Sequence, residues 1–128
     1  MSTVIESAGL KAYNDSIRSS VPNVVDDLRR ALGAKLVAYI AGVSETRTVR
    51  EWVEALRRPS PGAEERLRLT HRVVTLISQS EGTAVVQTWF QGMNPYLGDR
   101  SPARVLHEDS FEKAGPSVLA AANAFVGA

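Results

Sequence analysis

This sequence predicts an all-α fold, and three observations predict it. No stretch sustains the period-two alternation of β-branched residues that marks a half-buried strand. Apolar residues recur instead at helical spacing, as in Val49, Trp52, Val53 and Leu56, which stand at i, i+3, i+4 and i+7. The nine glycines are dispersed at apparent helix ends rather than gathered into a phosphate-binding loop. With 128 residues and a hydrophobic fraction of 44% the chain can bury a core. One domain is the economical reading, and two small helical layers sharing one core also fit.

Residues 1–23 are rich in Ser and small side chains and read as an N-terminal arm, loose or with a short helix around Leu10 to Ile17. Pro22 and Asn23 then precede a helix from Val24 to Leu32, which Gly33 ends. Residues 34–41 and about 46–57 form two amphipathic segments hinged on Gly42, the layout of a helix-turn-helix. The run Arg58-Pro59-Ser60-Pro61-Gly62 is the strongest break in the chain, because its prolines remove donors and forbid helical continuation. It separates a helix-turn-helix region, 24–61, from a second region, 62–128.

In that second region Ala63 to Ser80 reads as one long helix, with Leu69, Val73, Leu76 and Ile77 inward and Glu64 paired to Arg68 outside. A helix from about Thr83 to Gly92 buries Val85, Val86, Trp89 and Phe90. Residues 92–100 form a loop. Ser101 and Pro102 then supply an N-cap and a first-turn proline for a short helix to Glu108. A last, alanine-rich helix runs from near Pro116 to Val126, with Leu119, Phe125 and Val126 as its larger apolar groups.

A net charge of +1 hides an uneven distribution. Between Asp27 and Arg72 ten Lys and Arg face six Asp and Glu, for +4, whereas the rest of the chain carries −3. Nucleic-acid binders gather positive charge where phosphates lie. A helix-turn-helix sets the N-terminal turn of its second helix into the DNA major groove, which makes Ser44, Thr46, Arg47, Thr48 and Arg50 the candidate DNA contacts. The competing reading of these residues is an ordinary αα-hairpin. Charge this mild predicts modest affinity per subunit and therefore a homodimer reading two half-sites. Arg57 and Arg58 read equally as a helix cap or as a phosphate contact.

Little else suggests chemistry. The absence of cysteine excludes disulfides, zinc knuckles and a thiol nucleophile. His71 and His107 are far apart and lack a second ligand at metal spacing, so neither a metal nor another cofactor is expected, and His107-Glu108-Asp109 reads as helix-end capping. Trp52 and Trp89 sit among apolar neighbours as core. The expectation is a protein that is not an enzyme. Residues 1–10 lack a secretion signal and no apolar stretch is long enough to span a bilayer, so a cytoplasmic protein without membrane association is expected.

The order helix-turn-helix, long helix, Trp89-Phe90, then Asn94-Pro95-Tyr96-Leu97, Arg100-Ser101-Pro102-Ala103 and Leu106 resembles the Xre/MbcA/ParS antitoxin family. In that family a tryptophan-containing helix leads into a loop of the type Asn-Pro-x-Leu-x-x-Arg-x-Pro, followed by a proline-opened helix bearing a leucine. The resemblance covers residues 24–126, and Trp89, Asn94, Pro95, Leu97, Arg100, Pro102 and Leu106 carry its more specific half. It implies an Xre-like helix-turn-helix half joined by a long helix to a small toxin-binding, ParS-like half. It further implies an antitoxin that inhibits a RES-domain toxin, an enzyme that destroys NAD, and that represses its own operon, with a higher toxin–antitoxin assembly.

Within the implied toxin-binding half, the loop residues read as structural, with Asn94 satisfying backbone groups and Arg100 tying the loop to nearby carbonyls. Toxin contact is expected from Arg104, His107, Glu108, Phe111, Lys113 and Phe125. Ala114, Ala120, Ala121 and Ala122 leave room for close approach of another protein. The alternative function is a stand-alone helix-turn-helix transcriptional regulator, bacterial or phage, without a toxin partner. A third is an inhibitory interaction module that does not bind DNA.

Overall fold

A serine cap with proline in the first turn opens three of the helices, and a residue of positive φ follows several of them. The computed structural model describes residues 9–10 and 20–127. Helix α1 (Val21–Leu32) begins where the Ser20 hydroxyl accepts the Asn23 N–H at 3.4 Å. Helix α4 (Pro61–Glu81) is capped by Ser60 on the Ala63 N–H at 3.2 Å, and α6 (Pro102–Glu108) by Ser101 on the Arg104 N–H at 3.1 Å. Proline belongs in these first turns because a first-turn N–H has no intrahelical acceptor to lose. The Pro59–Gly62 run, read as a break, therefore starts a helix; the preceding helix has already ended at Val53. Helix α1 likewise begins at Val21, inside the stretch read as an arm, whose other residues lie mostly outside those described.

Helices α2 (Ala34–Ala41) and α3 (Thr46–Val53) are joined by a tight turn at Gly42, whose φ of 85° and ψ of 24° only glycine adopts freely. The Val43 N–H bonds the Ala38 carbonyl at 3.0 Å and the Gly42 N–H bonds that of Tyr39 at 3.2 Å, the paired closure of a Schellman end.

The same closure ends α3, and there it corrects the expectation of a helix to residue 57. The Leu56 N–H reaches the Glu51 carbonyl at 2.9 Å and the Ala55 N–H that of Trp52 at 3.3 Å, with Ala55 at φ 60°. An alanine in the left-handed position gives no sign in the sequence, where glycine is the usual marker. Because the chain turns away at Ala55, Leu56 falls off the apolar stripe and is 73% exposed rather than buried.

After α4, Gly82 leads into a short 3-10 turn (Thr83–Val85) and then α5 (Val86–Gln91), so the helix expected from Thr83 is only partly α-helical. The last helix, α7 (Phe111–Gly127), starts five residues before Pro116 rather than at it. Proline there leaves the Glu112 carbonyl without an intrahelical donor, and because both residues are exposed that carbonyl is within reach of water. The early start is favoured by packing: Ala114 and Gly115 are buried, with Phe111 and Leu69 lying over Gly115 so closely that an added Cβ would meet them at 3.3 and 3.4 Å.

All described regular elements are helical. One contiguous core runs from Val21, Val24, Val25 and Leu28 of α1 through Ile40, Val49, Leu67 and Ile77 to Phe90, Leu106, Val118 and Ala122. Helix α4 lies at its centre, against α1 and α2 on one side and α7 on another. Ala114, Ala121 and Ala122 pack inside this core rather than offering a surface to another protein; of the four alanines only Ala120 is exposed. No helix of the described residues is long and apolar enough to cross a membrane.

Replacing Ala55 by glycine relieves the left-handed strain at an exposed site, and the expected outcome is stabilisation by about 1 kcal/mol, read as a higher denaturation midpoint. An unchanged or lower midpoint contradicts the left-handed assignment.

Candidate nucleic-acid interface

Helix α3 is held by two side chains, Val49 and Trp52, which are fully buried. Their burial turns Thr46, Arg47 and Arg50 outward, next to the exposed Ser44, while Thr48 is half-buried. No side chain caps the first turn of α3, in contrast to α1, α4 and α6. Its leading N–H groups therefore lack a side-chain acceptor at the positive end of its dipole, an arrangement that suits an anion.

Arg47 makes no ion pair among the described residues, and Arg50 has only Glu54 at 3.9 Å, the outer limit of such a contact. Arg57 and Arg58, past the end of α3, lie 3.6 Å from Glu51 and 3.8 Å from Glu64. Both pairs are solvent-exposed and contribute little to stability.

Two open hollows flank Thr46 and Arg47. The larger, about 690 Å3, is lined among others by Lys35 and Tyr39 of α2, Ser44 and Glu45 of the turn, and His107 of α6. The smaller, about 360 Å3, brings Arg29 and Ala34 beside Arg50. Arg29 is partly engaged by Asp26 at 3.2 Å, whereas Lys35 has no ion pair among the described residues. The sequence reading missed Arg29 and Lys35 as members of this surface. Charge counting pointed to the region, but only the packing of α1 and α2 on α3 says which cations stand beside Arg47.

The residues expected to contact a toxin do not form one patch. Arg104 and Glu108 bond each other at 2.8 Å along α6. His107 turns towards α2, its ring stacked on Tyr39 at 4.0 Å and 12°, with Nδ1 2.6 Å from the Tyr39 carbonyl oxygen. Phe111 is half-buried over Gly115, and Lys113 is exposed near Asp109. Phe125 lies fourteen residues further along α7, roughly 21 Å away at 1.5 Å per residue. There it lines a separate hollow with Trp89 and the 81% exposed Met93.

The loop residues do cluster. Asn94 is buried; its side chain accepts the Tyr96 N–H at 2.9 Å, its carbonyl accepts those of Leu97 and Asp99, and its own N–H reaches the Arg100 carbonyl at 3.2 Å. Leu97, Pro102 and Leu106 are buried beneath this turn, Pro95 is exposed and opens its short 3-10 segment, and Trp89 is half-buried with its ring edge-on to Phe90.

Arg100, expected to bind carbonyls, instead grips the Asp109 carboxylate through two bonds of 2.9 and 2.8 Å, which closes the loop across both ends of α6. The carbonyls are served by Arg66 of α4, which donates to Leu106, Gly62 and Asp109 at 2.9, 3.2 and 3.2 Å. The Arg100 hydrogen bond holds the Asp109 carboxyl below the usual carboxylate range against opposing desolvation, with the charges of Arg100 and Lys113 adding to the effect. Asp109 in turn raises the Arg100 guanidinium.

Elsewhere, His71 is buried, with Nε2 3.0 Å from an Asp27 carboxylate oxygen. The described residues hold no cluster of three or more His, Cys, Asp or Glu placed to bind a metal ion.

A carboxyl whose folded pKa is depressed stabilises the fold above its unfolded value, about 4, and loses that contribution as pH falls through the lower folded value. Asp109→Asn is therefore expected to lower the thermal midpoint at neutral pH, with the gap to the parent protein closing as acid protonates Asp109. A gap that persists unchanged below about pH 3 shows that the ion pair is not its source. Comparison of the chain with protein-family models, with curated proteins and with solved structures finds no match.

Proposed function

We propose that this chain is a DNA-binding antitoxin. In this reading α2, the Gly42 turn and α3 act as a helix-turn-helix that sets the first turn of α3 into a major groove, where Arg47 and Arg50 read base edges and Ser44, Thr46 and Thr48 contact phosphates or bases. The observation that carries it is the surface of α3: unpaired Arg47 beside exposed Ser44, Thr46 and Arg50, directly opposite the buried Val49 and Trp52. Arg29 and Lys35 flank this surface and supply sequence-independent attraction to phosphate. Two copies related by a two-fold axis would place their α3 helices at half-sites about 10 base pairs apart.

The inhibitory half of the proposal rests on the resemblance of the Asn94–Leu106 segment, a tightly bonded loop and short helix, to the toxin-binding motif of Xre/MbcA/ParS antitoxins. The partner in this reading is a RES-domain NAD-degrading toxin. Because Phe111 is half-buried and Ala114, Ala121 and Ala122 are core, the contact surface is better sought around Phe125, Trp89 and Met93.

Arg47→Ala and Arg50→Ala are each expected to weaken binding to the protein's own promoter by about 1–3 kcal/mol, measured by gel shift or anisotropy. Unchanged binding by the double variant refutes the assignment of α3. For the inhibitory half, Phe125→Asp should leave the fold intact, since Phe125 is 40% exposed, yet abolish growth rescue on co-expression with an adjacent RES-domain toxin. Full rescue with cellular NAD preserved places the inhibitory surface elsewhere.

A further inference from the structure

His107 and Tyr39 are 68 residues apart in sequence, yet their rings stack at the rim of the hollow beside α3. The 2.6 Å contact from Nδ1 to the Tyr39 carbonyl has one chemical reading. A carbonyl oxygen only accepts, so Nδ1 carries the proton and donates. In a neutral ring Nε2 is then left with its lone pair, which repels an anion; only the imidazolium offers N–H at both nitrogens. The contact with α2 thus fixes which nitrogen remains to meet a ligand and requires a second proton if that ligand is anionic.

The remaining groups of the hollow favour an anion. Lys35 and Arg47 stand against Glu45, and neither cation has an ion pair among the described residues. Its formal charge is +1 with His107 neutral and +2 with the ring protonated. Tyr39 is the other titratable group facing the ring from α2. On α6 itself Arg104 and Glu108 bond each other, and Arg66 of α4 is engaged with carbonyls. Glu112 and Lys113 at the start of α7 do not line the hollow, and α5 carries no ionisable side chain. The open hydroxyls of Ser44 and Thr46 and the uncapped first turn of α3 add donors around the same space.

We infer that His107 is a contact to a DNA backbone phosphate seated between α2, α3 and α6, and that DNA binding takes up a proton at this ring. The inference rests on the reading of α3 as the DNA-contacting helix. It assigns a residue of the C-terminal half to the nucleic-acid surface and makes affinity rise as pH falls. A phosphate contact is blind to sequence, so it acts on any duplex.

The test is fluorescence anisotropy of the full chain with a labelled mixed-sequence duplex and with its own promoter fragment, at about pH 8 and about pH 5.5 over a range of salt. His107→Gln keeps a donor for the Tyr39 carbonyl but cannot gain charge. It is expected to match the parent protein at the higher pH and to bind both duplexes about tenfold more weakly at the lower, with a salt slope shallower by about 0.9. His107→Lys carries a permanent charge and should bind tightly at both pH values, without the parent's pH dependence. The inference is overturned if His107→Gln follows the parent at every pH and salt, or if His107→Lys retains the parent's pH dependence. Arg47→Ala separates the two levels. If it weakens binding while His107→Gln does not, only the His107 contact fails; if it has no effect, the reading of α3 fails and takes this inference with it.

Discussion

The packing of the described helices depends first on the burial of α4 on more than one side. Its 21 residues present Leu67, Val73, Val74, Leu76 and Ile77 to the core, and α1 and α7 pack against it. The closeness of α7 depends on Gly115, where an added Cβ would press on Leu69 and Phe111, and on the small buried side chains of Ala114, Ala121 and Ala122. With α7 seated, α6 is drawn against α2, and His107 reaches Tyr39. The polar contact at the rim of the basic surface is thus joined to the central packing through α6, which touches both α2 and α7.

Helix punctuation was largely legible in the sequence. Ser-Pro pairs and Gly33 or Gly42 mark boundaries through local chemistry, and local chemistry is what a sequence displays directly. The errors occur where tertiary packing prevails over local preference. Ala55 turns left-handed with nothing in its neighbourhood to announce it, and Pro116 is tolerated inside a helix because the Glu112 carbonyl it leaves unbonded is on the exposed side, while Ala114 and Gly115 hold that turn to the core. The buried faces of α3 and α4 were readable, but the inward face of α7 was read as outward. Alanine satisfies a tight core and a tight interface by the same virtue, small size.

The candidate surface was legible in part for the same reason. Arg47 and Arg50 follow from the phase of Val49 and Trp52 on a single helix, whereas Lys35, Arg29 and His107 join them only through contacts between helices. The loop after α5 shows how a residue type can be right and its partner wrong. Arg100 does bind the chain back on itself, but to a carboxylate, and the carbonyl-binding role belongs to Arg66, more than thirty residues earlier. Arginine's forked donors suit either acceptor, so sequence alone does not choose between them.

Helix α3 divides its positions sharply. Val49 and Trp52 bear its attachment to the core, while Thr46, Arg47 and Arg50 touch almost nothing of the protein itself. Natural variation can therefore rewrite the outward edge of this helix while stability constrains only its underside. Homologous chains sharing this scaffold are free to diverge in the surface they present faster than in how they fold, with two anchoring side chains as the fixed point.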